Sequence, residues 1–316
     1  MDLAFERTIQ ALERRAAVLA AAAERDPAAA AELVSARAAL DAERAQVFAA
    51  LTPIERLALA RHPRRPYPLD YVAALVERFV ELHGDRREAD DPAVAAGFGV
   101  FRSRPVAVIA LQKGRSVREK VQRNFGRPRP AGARKARRAI ELAARAARPV
   151  LAFVDAAGAA ADGAAEGAEA AAALGELLFA AAVAPTPFVS VVTGESSGAW
   201  ATPWLVADRV AMQAYAVMAP AVEERAAEVL FGSARRLPSA VRAMRLSAED
   251  AARAGVVDVV VPEPPGAAHA DPAAAAALLG DVLERELDAL EARGAVDPDA
   301  RRARLNRMVG VTTSFA

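Results

Sequence analysis

Cysteine is absent from this 316-residue chain. Its absence excludes disulfides, thiolate-ligated metal sites and a cysteine nucleophile within the chain. Histidine is also scarce, and His62, His83 and His269 do not show the spacing of a metal-ligand motif. The sequence therefore predicts no metal in this chain, and its chemistry must come from oxygen, nitrogen and backbone groups.

A net charge of one sign is missing as well, since 41 basic residues face 40 acidic ones. No overall field favours nucleic acid or an anionic membrane, so we expect neither as a partner. No run reaches the roughly 18 uncharged apolar residues of a membrane span. Charged residues follow Met1 too early for a signal peptide, and we expect a cytoplasmic protein.

Two strand-turn-helix units stand out among the segments that are present. Residues 188–193 are apolar and β-branched, which predicts a buried strand that reaches a turn at Gly194 and then small residues that open a helix. A second strand over 149–155 runs into a turn with Gly158. Such turns present backbone N–H groups to negative charge that develops on an oxygen atom. The alternative is that these glycines form ordinary turns of an α/β sheet.

The rest of the chain divides into an N-terminal helical hairpin, a main domain and a C-terminal helical extension, at 1–51, 52–270 and 271–316. Asp26-Pro27 breaks the hairpin, which we expect to pack on the main body or on a partner. In the main domain, the spacing of apolar residues predicts a helix over 71–83 and a strand hairpin over 94–111.

Basic residues are concentrated after that strand hairpin. Gln112-Lys-Gly114 follows its second strand, and residues 115–135 are strongly basic around Asn124-Phe-Gly126. This pattern predicts a seat for phosphates. Nucleic acid is disfavoured because Phe125 is the only aromatic residue in the segment. A second cationic cluster at 61–65 lies between prolines, as either a solvated linker or a docking strand for a phosphate-bearing ligand or partner.

An ordered set of short motifs carries a resemblance to a known family. The motifs are Arg61-His-Pro-Arg-Arg-Pro-Tyr-Pro-Leu-Asp-Tyr71, Gly84-Asp-Arg86, Ala89-Asp-Asp91, Gln112-Lys-Gly114, Asn124-Phe-Gly126, Arg134-Lys-Ala136, Phe153-Val-Asp155 with Gly158-Ala159, Gly194-Glu195, and Pro262-Glu-Pro264 with Gly266 and His269. In this order they resemble the alpha subunit of bacterial acetyl-CoA carboxylase carboxyltransferase, in the crotonase superfamily. The resemblance implies an α/β fold, a crotonase-like spiral of ββα units.

The resemblance also implies an activity and its partners. Members of this family move a carboxyl group from carboxybiotin, attached to a biotin carboxyl carrier protein, to acetyl-CoA and form malonyl-CoA. Their active site lies between alpha and beta subunits of an α2β2 heterotetramer. The beta subunit binds most of the CoA and a cysteine-ligated zinc, which agrees with a cysteine-free alpha chain.

By position in the matched motifs, the resemblance implies a set of site residues. Gly198 and Ala199 would hold the urea oxygen of biotin, and Gly158 with Ala159 would shape the neighbouring turn as further catalytic positions. The implied substrate-binding positions are Lys113, Gly114, Arg123, Asn124, Gly194 and Glu195.

The chain departs from the family in the turns that face the ligands. The usual run Gly-Glu-Gly-Gly-Ser-Gly-Gly-Ala is Gly194-Glu-Ser-Ser-Gly-Ala-Trp-Ala201 here, and Trp200 would occupy ligand space. The usual Ser-Pro-Glu is Ala219-Pro-Ala221. Backbone donors survive the loss of glycine, but conformations with positive φ become costly.

Three alternatives to acetyl-CoA carboxyl transfer follow from these departures and from one further motif. The first alternative is a catalytically impaired paralogue that binds or regulates a carboxyltransferase partner. The second is another acyl-CoA or malonyl-transferring member of the superfamily, such as the gamma subunit of malonate decarboxylase. The third alternative is an α/β-hydrolase, because Gly194-Glu-Ser-Ser-Gly198 matches a nucleophile elbow, with Ser196 as nucleophile, Asp258 as acid and His269 as base.

Overall fold

The computed structural model describes residues 3–158, 164–294 and 296–308, and within them eight strands form one mixed sheet. The strands are β1 Val76–Glu81, β2 Val94–Phe101, β3 Arg104–Leu111, β4 Val150–Ala156, β5 Phe188–Ser197, β6 Arg209–Gln213, β7 Val217–Ala219 and β8 Val259–Val261. Their order is β1-β2-β3-β4-β5-β6-β8, and β7 pairs with the end of β5. The pairs β1–β2 and β2–β3 are antiparallel and the other pairs are parallel.

Helices cover both faces of this sheet. They are α1 Arg7–Ala23, α2 Pro27–Ala49, α3 Pro53–Ala60, α4 Pro68–Leu75, α5 Val117–Gln122, α6 Pro130–Arg145, α7 Ala164–Val183, α8 Thr202–Leu205, α9 Glu223–Phe231, α10 Leu237–Met244, α11 Ala248–Arg253, α12 Pro272–Ala292 and α13 Pro298–Met308. Short 3-10 turns occur at Ala4–Glu6, Asn124–Gly126, Gly198–Ala201 and Ala234–Arg236. No helix in the described ranges is both long and apolar enough to cross a membrane.

The central strands are buried on both faces, and this burial sets the layered architecture. Every residue of β4 and of β5 is buried. Alternate residues of β4 enter different cores, since Ala152 and Val154 pack with α6 and α7 while Leu151 and Phe153 pack with α4 and α12. Parallel strands covered by helices on both sides need such continuous apolar runs. The α/β class predicted from the sequence is confirmed.

One predicted element was wrong. The helix expected over 71–83 ends at Leu75, and the following residues form the edge strand β1. This strand pairs with β2 through a bulge between Glu77 and Val80 and is largely exposed. Its short, half-polar sequence has no continuous apolar run that would predict a strand. These residues form a strand because they pair with the edge of β2.

The N-terminal helices form a hairpin that packs on the main body. Asp26 accepts the N–H of Ala28 at the start of α2, where the sequence predicted the break. Leu3 and Ile9 share an apolar cluster with Leu59 of α3 and Ala267. The boundaries at 51/52 and 270/271 stay a prediction.

The last helix is tied to the sheet by two buried arginines, Arg301 and Arg304, and Arg301 makes the larger number of contacts. Arg301 is 2% exposed, and it donates to the carboxylate of Asp208 and to three carbonyls between residues 181 and 186 at 2.6–2.8 Å. Asp208 also accepts the N–H of Phe188, the first residue of β5, at 2.8 Å. The start of β5 is therefore held by α13 through Asp208.

We predict that Arg301→Met destabilises the chain by about 3–5 kcal/mol, because the substitution leaves a half-buried carboxylate and three carbonyls without their donor. The control is Arg302→Met, since the Arg302 side chain is 73% exposed and its salt bridge stays within α13. We expect a change below about 0.5 kcal/mol for the control. Urea denaturation measures both, and equal losses would contradict the assigned role.

Candidate active site

Two turns with left-handed glycines meet at one edge of the sheet. Because β4 and β5 are parallel neighbours, their carboxyl ends lie side by side. Gly158 follows β4 with φ of 102°, and Gly198 follows β5 with φ of 70°, both in a region that favours glycine. Ala199 lies in the 3-10 turn that Gly198 opens. Ala159 lies outside the described residues.

The turn predicted at Gly194 was wrong, because β5 continues to Ser197. Strand β7 pairs with residues 195–197 and so extends β5 past the glycine. Gly194 serves a different purpose, since a Cβ there would lie 2.5 Å from Oδ1 of Asp155. Without that Cβ, the Asp155 carboxylate accepts the backbone N–H of Glu195 at 2.8 Å.

Lys113 joins two buried carboxylates beside these turns. Its Nζ lies 2.7 Å from Oδ1 of Asp155 and 2.9 Å from Oε2 of Glu195, whose side chains are 2% and 1% exposed. Burial disfavours the charged lysine, but the two carboxylates outweigh burial and raise the pKa of Lys113. The ammonium group therefore stays charged at neutral pH and neutralises part of the negative charge of the two buried carboxylates.

Arg61 is the second cation of the site. Its Nε and Nη2 donate to the Glu195 carboxylate at 3.2 and 2.7 Å. Nη2 also donates to Glu223 at 2.8 Å, and Nη1 donates to Glu224 at 2.5 Å. Arg61 follows α3, so this one side chain connects α3, β5 and the start of α9.

Arg65 is buried and has all its described contacts inside the protein. It is 1% exposed, lies 2.7 Å from Glu263 and donates to the carbonyl of Thr193 at 2.7 Å. Both arginines neutralise carboxylates inside the protein, where unpaired charge is costly. The docking interpretation was therefore wrong for buried Arg65, whereas Arg61 is 30% exposed and lines the cavity beside the site, so for Arg61 it stays a prediction.

The pKa values of Glu195 and Glu223 move in opposite directions. Burial disfavours ionised Glu195, but Lys113 and Arg61 outweigh burial and lower its pKa to about 2. Burial raises the pKa of Glu223 to about 7, and the neighbouring negative charge of Glu195 adds to that rise. A carboxyl group that exchanges its proton near neutrality thus lies next to one that stays ionised.

A cavity of about 310 Å³ opens beside this network. Its lining residues are Ala60, Arg61, Tyr67, Lys113, Gly114, Lys120, Phe125, Arg127, Ala157, Glu195, Val222 and Glu224. The cavity therefore combines apolar walls with positive and negative groups, and it includes the predicted positions Lys113, Gly114 and Glu195. A Cβ at Gly158 would lie 2.6 Å from Cγ2 of Val222, so that turn packs directly behind the cavity wall.

The basic loop after β3 borders the cavity. Of its predicted site residues, Gly114 lines the cavity, whereas Arg123 and Asn124 do not. Asn124, Phe125 and Gly126 all have positive φ, between 46° and 72°, which bends the loop back onto Lys113. The amide of Asn124 donates to the carbonyl of Arg127, and Arg123 donates to the carbonyl of Pro92. The described contacts of Arg123 and Asn124 thus shape the loop, and their substrate-binding role stays a prediction.

Trp200 does not occupy ligand space. It is 2% exposed and belongs to the apolar core under α6 and α7, together with Trp204. Ser196 and Ser197 lie in extended β5 and not in a glycine-dependent turn. The expected crowding by Trp200 was therefore wrong, because the 3-10 turn directs the indole into the core.

The hydrolase triad is not assembled. Ser196 is 1% exposed within β5. Asp258 accepts the N–H of Val210 and pairs with Arg304, while His269 pairs with Glu6 at 2.9 Å. Because acid and base have other partners, Ser196 lacks the hydrogen-bonded base that a nucleophile elbow needs.

His269 belongs to a buried cluster with Glu6 and His62. The two imidazole rings stack with centroids 4.1 Å apart, and the donor atoms of the three residues all lie within 4.8 Å of one another. Burial lowers the pKa of His62 to about 4, so His62 is neutral at physiological pH. The cluster fastens the N-terminal segment to the loop before α4. The absence of a metal from the chain stays a prediction.

Sequence reasoning missed the roles of Arg61, Tyr67, Val222 and Glu223. Arg61 and Glu195 are 134 residues apart, and Glu223 follows a segment that departs from the family pattern. The one available signal was the position of Arg61 at the head of the longest matched motif.

Comparison with known sequences identifies the same family as the sequence motifs. A family model described as acetyl co-enzyme A carboxylase carboxyltransferase-like matches residues 2–310. The acetyl-coenzyme A carboxylase carboxyl transferase subunit alpha of Rubrobacter xylanophilus is 40% identical over 308 residues, which are 98% of this chain and 96% of that protein. The same subunit of Aquifex aeolicus is 41% identical over 245 residues, covering 78% and 76%.

Solved structures share the fold at lower identity. A Pseudomonas malonate decarboxylase hetero-tetramer in complex with coenzyme A matches with a TM-score of 0.56 and 18% identity, over 77% of this chain and 98% of that chain. Transcarboxylase 12S matches with a TM-score of 0.55 and 20% identity, over 72% of this chain but 44% of that chain. The predicted crotonase-like fold is confirmed by these neighbours, which at such identities show the fold alone.

We predict that Lys113→Met destabilises the chain by about 3–5 kcal/mol at neutral pH, because Asp155 loses its cation and Glu195 loses one of two. The control is Lys120→Met, since Lys120 borders the same cavity but is exposed. Urea denaturation at pH 7.5 measures both. A loss for Lys113→Met no larger than that for the control would contradict the network.

Proposed function

The chain belongs to the acetyl-CoA carboxylase carboxyltransferase alpha-subunit family, and from that premise we propose that it transfers a carboxyl group to acetyl-CoA to form malonyl-CoA. The names of its relatives favour this activity over a regulatory paralogue or another acyl-CoA enzyme. The observation that carries the proposal is the pair of left-handed turns at Gly158 and Gly198, at the carboxyl ends of adjacent parallel strands. The glycines are not among the lining residues of the charged cavity, but Ala157 precedes the first turn and lines this cavity, and Val222 connects Gly158 to its wall.

The cavity fits the donor that this activity needs. Carboxybiotin, on a biotin carboxyl carrier protein, supplies the carboxyl group when it is bound. A volume of about 310 Å³ with apolar groups from Tyr67 and Val222 suits a small bicyclic ring. The exposed cations Lys120 and Arg127 at the border suit anionic groups of the reactants, such as carboxylate or phosphate.

The part played by this chain is to orient reactants and to stabilise negative charge. Backbone N–H groups of Gly198 and Ala199 hold an oxygen on which negative charge develops, and the turn at Gly158 shapes the adjoining wall. Preorganised donors of this kind act without reorganisation during the reaction. Lys113 and Arg61 stay paired with carboxylates and fix the strand ends from which the turns emerge, so neither needs to give up a proton.

A beta subunit completes the site in this proposal. Exposed apolar side chains occur on two segments that also contribute to the cavity lining. They are Val229, Leu230 and Phe231 on α9, and Val117 and Val121 on α5 with Phe125 just after it. Their exposures range from 40% to 78%, and exposed large apolar groups of this kind mark interaction surfaces. We infer that the beta subunit covers these residues within an α2β2 heterotetramer in the cytoplasm.

We predict that the chain, purified with its beta subunit, transfers carboxyl from malonyl-CoA to free biocytin in the reverse assay. Gly198→Pro lowers the rate by about 10²-fold or more, because proline cannot adopt φ of 70° and the turn must move. Gly255→Pro is the control, since Gly255 has φ of 71° and no atom within 4 Å of its added Cβ, like Gly198. A stable complex without any transfer would overturn the proposed function.

We predict that Leu230→Glu weakens the complex with the beta subunit at least tenfold, because it places a charge within an apolar interface. Val34→Glu is the control, since Val34 is 70% exposed on α2, in the N-terminal hairpin. Analytical ultracentrifugation of each variant with the beta subunit measures the dissociation constant. Unchanged binding of Leu230→Glu would place the interface elsewhere.

A further inference from the structure

Glu223 connects the end of β5 to Arg61. Its side chain is fully buried. Oε1 accepts the hydroxyl of Ser197 at 2.8 Å, and Oε2 accepts Nη2 of Arg61 at 2.8 Å. Ser197 is the last residue of β5 and directly precedes Gly198. The position of the Gly198 turn therefore depends on a residue that does not itself line the cavity.

The start of α9 contacts the other turn as well. Val222, the residue before Glu223, lies so close to Gly158 that a Cβ there would be 2.6 Å from its Cγ2. The same Cβ would lie 3.7 Å from the carbonyl oxygen of Ser197. Two consecutive residues, 222 and 223, thus pack against both glycine turns at once.

The charges around Glu223 are not balanced. Four carboxylates, Asp155, Glu195, Glu223 and Glu224, face two cations, Lys113 and Arg61. Lys113 is held by Asp155 and Glu195, so Arg61 is the one described cation that pairs with Glu223, and it shares its charge with two other carboxylates. An excess of buried negative charge favours one carboxyl group that holds a proton.

We propose that Glu223 is a positioning residue for the oxyanion turn, holding Ser197 and Arg61 together so that the N–H groups after Ser197 point at the reacting oxygen. The proposal rests on the proposed function, because it concerns the same turn. Glu223 acts through Ser197 and touches no reactant.

The proposal makes the turn sensitive to pH. Ionised Glu223 accepts hydrogen bonds from Ser197 and Arg61 on its two oxygens. Protonation turns one oxygen into an O–H donor and removes the charge that pairs with Arg61, so the two partners are held less firmly. Burial and Glu195 raise its pKa to about 7, while Arg61 opposes the rise. Glu223 is therefore ionised above pH 7 and protonated below it, and the turn is held on the alkaline side.

The test is carboxyl transfer by the complete complex between pH 6 and pH 8.5, for the wild type, Glu223→Gln and Glu223→Ala. We expect kcat of Glu223→Ala to fall about 10- to 100-fold with KM for malonyl-CoA within about twofold, since misplacing reacting groups acts on the chemical step. Glu223→Gln should match the wild type at pH 6 over the whole range. The control Glu249→Gln removes a half-exposed carboxylate from another arginine, Arg56 of α3, away from the cavity, and should keep the wild-type profile.

A pH profile of Glu223→Gln that still falls below pH 7, or an unchanged kcat of Glu223→Ala, would overturn the proposal. Amide hydrogen exchange of residues 195–201 gives a second readout that does not depend on activity. Exchange should quicken in Glu223→Ala and Ser197→Ala but not in Glu249→Gln. If the wild type transfers no carboxyl group, the proposed function fails, and hydrogen exchange still decides whether Glu223 holds the turn.

Discussion

The ammonium group of Lys113 between Asp155 and Glu195 is the interaction on which the site depends. It neutralises the ends of two adjacent strands at the point where both leave the sheet. Gly194 is required because the Asp155 carboxylate occupies the space of a side chain. Arg61 then attaches α3 and α9 to the same carboxylate of Glu195. Removing one member leaves buried charge without a partner, so the stability of each of these residues depends on the others.

The extension of β5 to Ser197 explains why the chain departs from the family pattern after Gly194. Ser196 and Ser197 occupy extended positions paired with β7, where glycine is not needed. Position 198, where the usual run has serine, is glycine here, with φ of 70°. Trp200 fills core volume beneath α6 and α7. Positions 196, 197, 199 and 200, where the usual run has glycine, have no positive φ in this chain, and glycine stands at 198, where φ is positive.

Much of the fold followed from the sequence, because buried strands and capped helices leave strong local patterns. The hairpin of β2 and β3, the two central strands and the break before α2 were predicted at their places. Strand β1 was not, since its half-polar sequence is shaped by the edge of β2. The region of the site was predicted from its turns, but Arg61 and Glu223 were not, because pairing across more than 130 residues leaves no periodic signal.

Strand β5 is held at its start by Asp208 and at its end by Ser197, with every residue between them buried. A buried strand that is anchored at both ends has high local stability, so we expect β5 to stay rigid during the reaction. The movements of a catalytic cycle must then be made by other parts. The exposed loop that follows β3, with Lys120 and Arg127 at the border of the cavity, is the described element beside the site that is not held in this way.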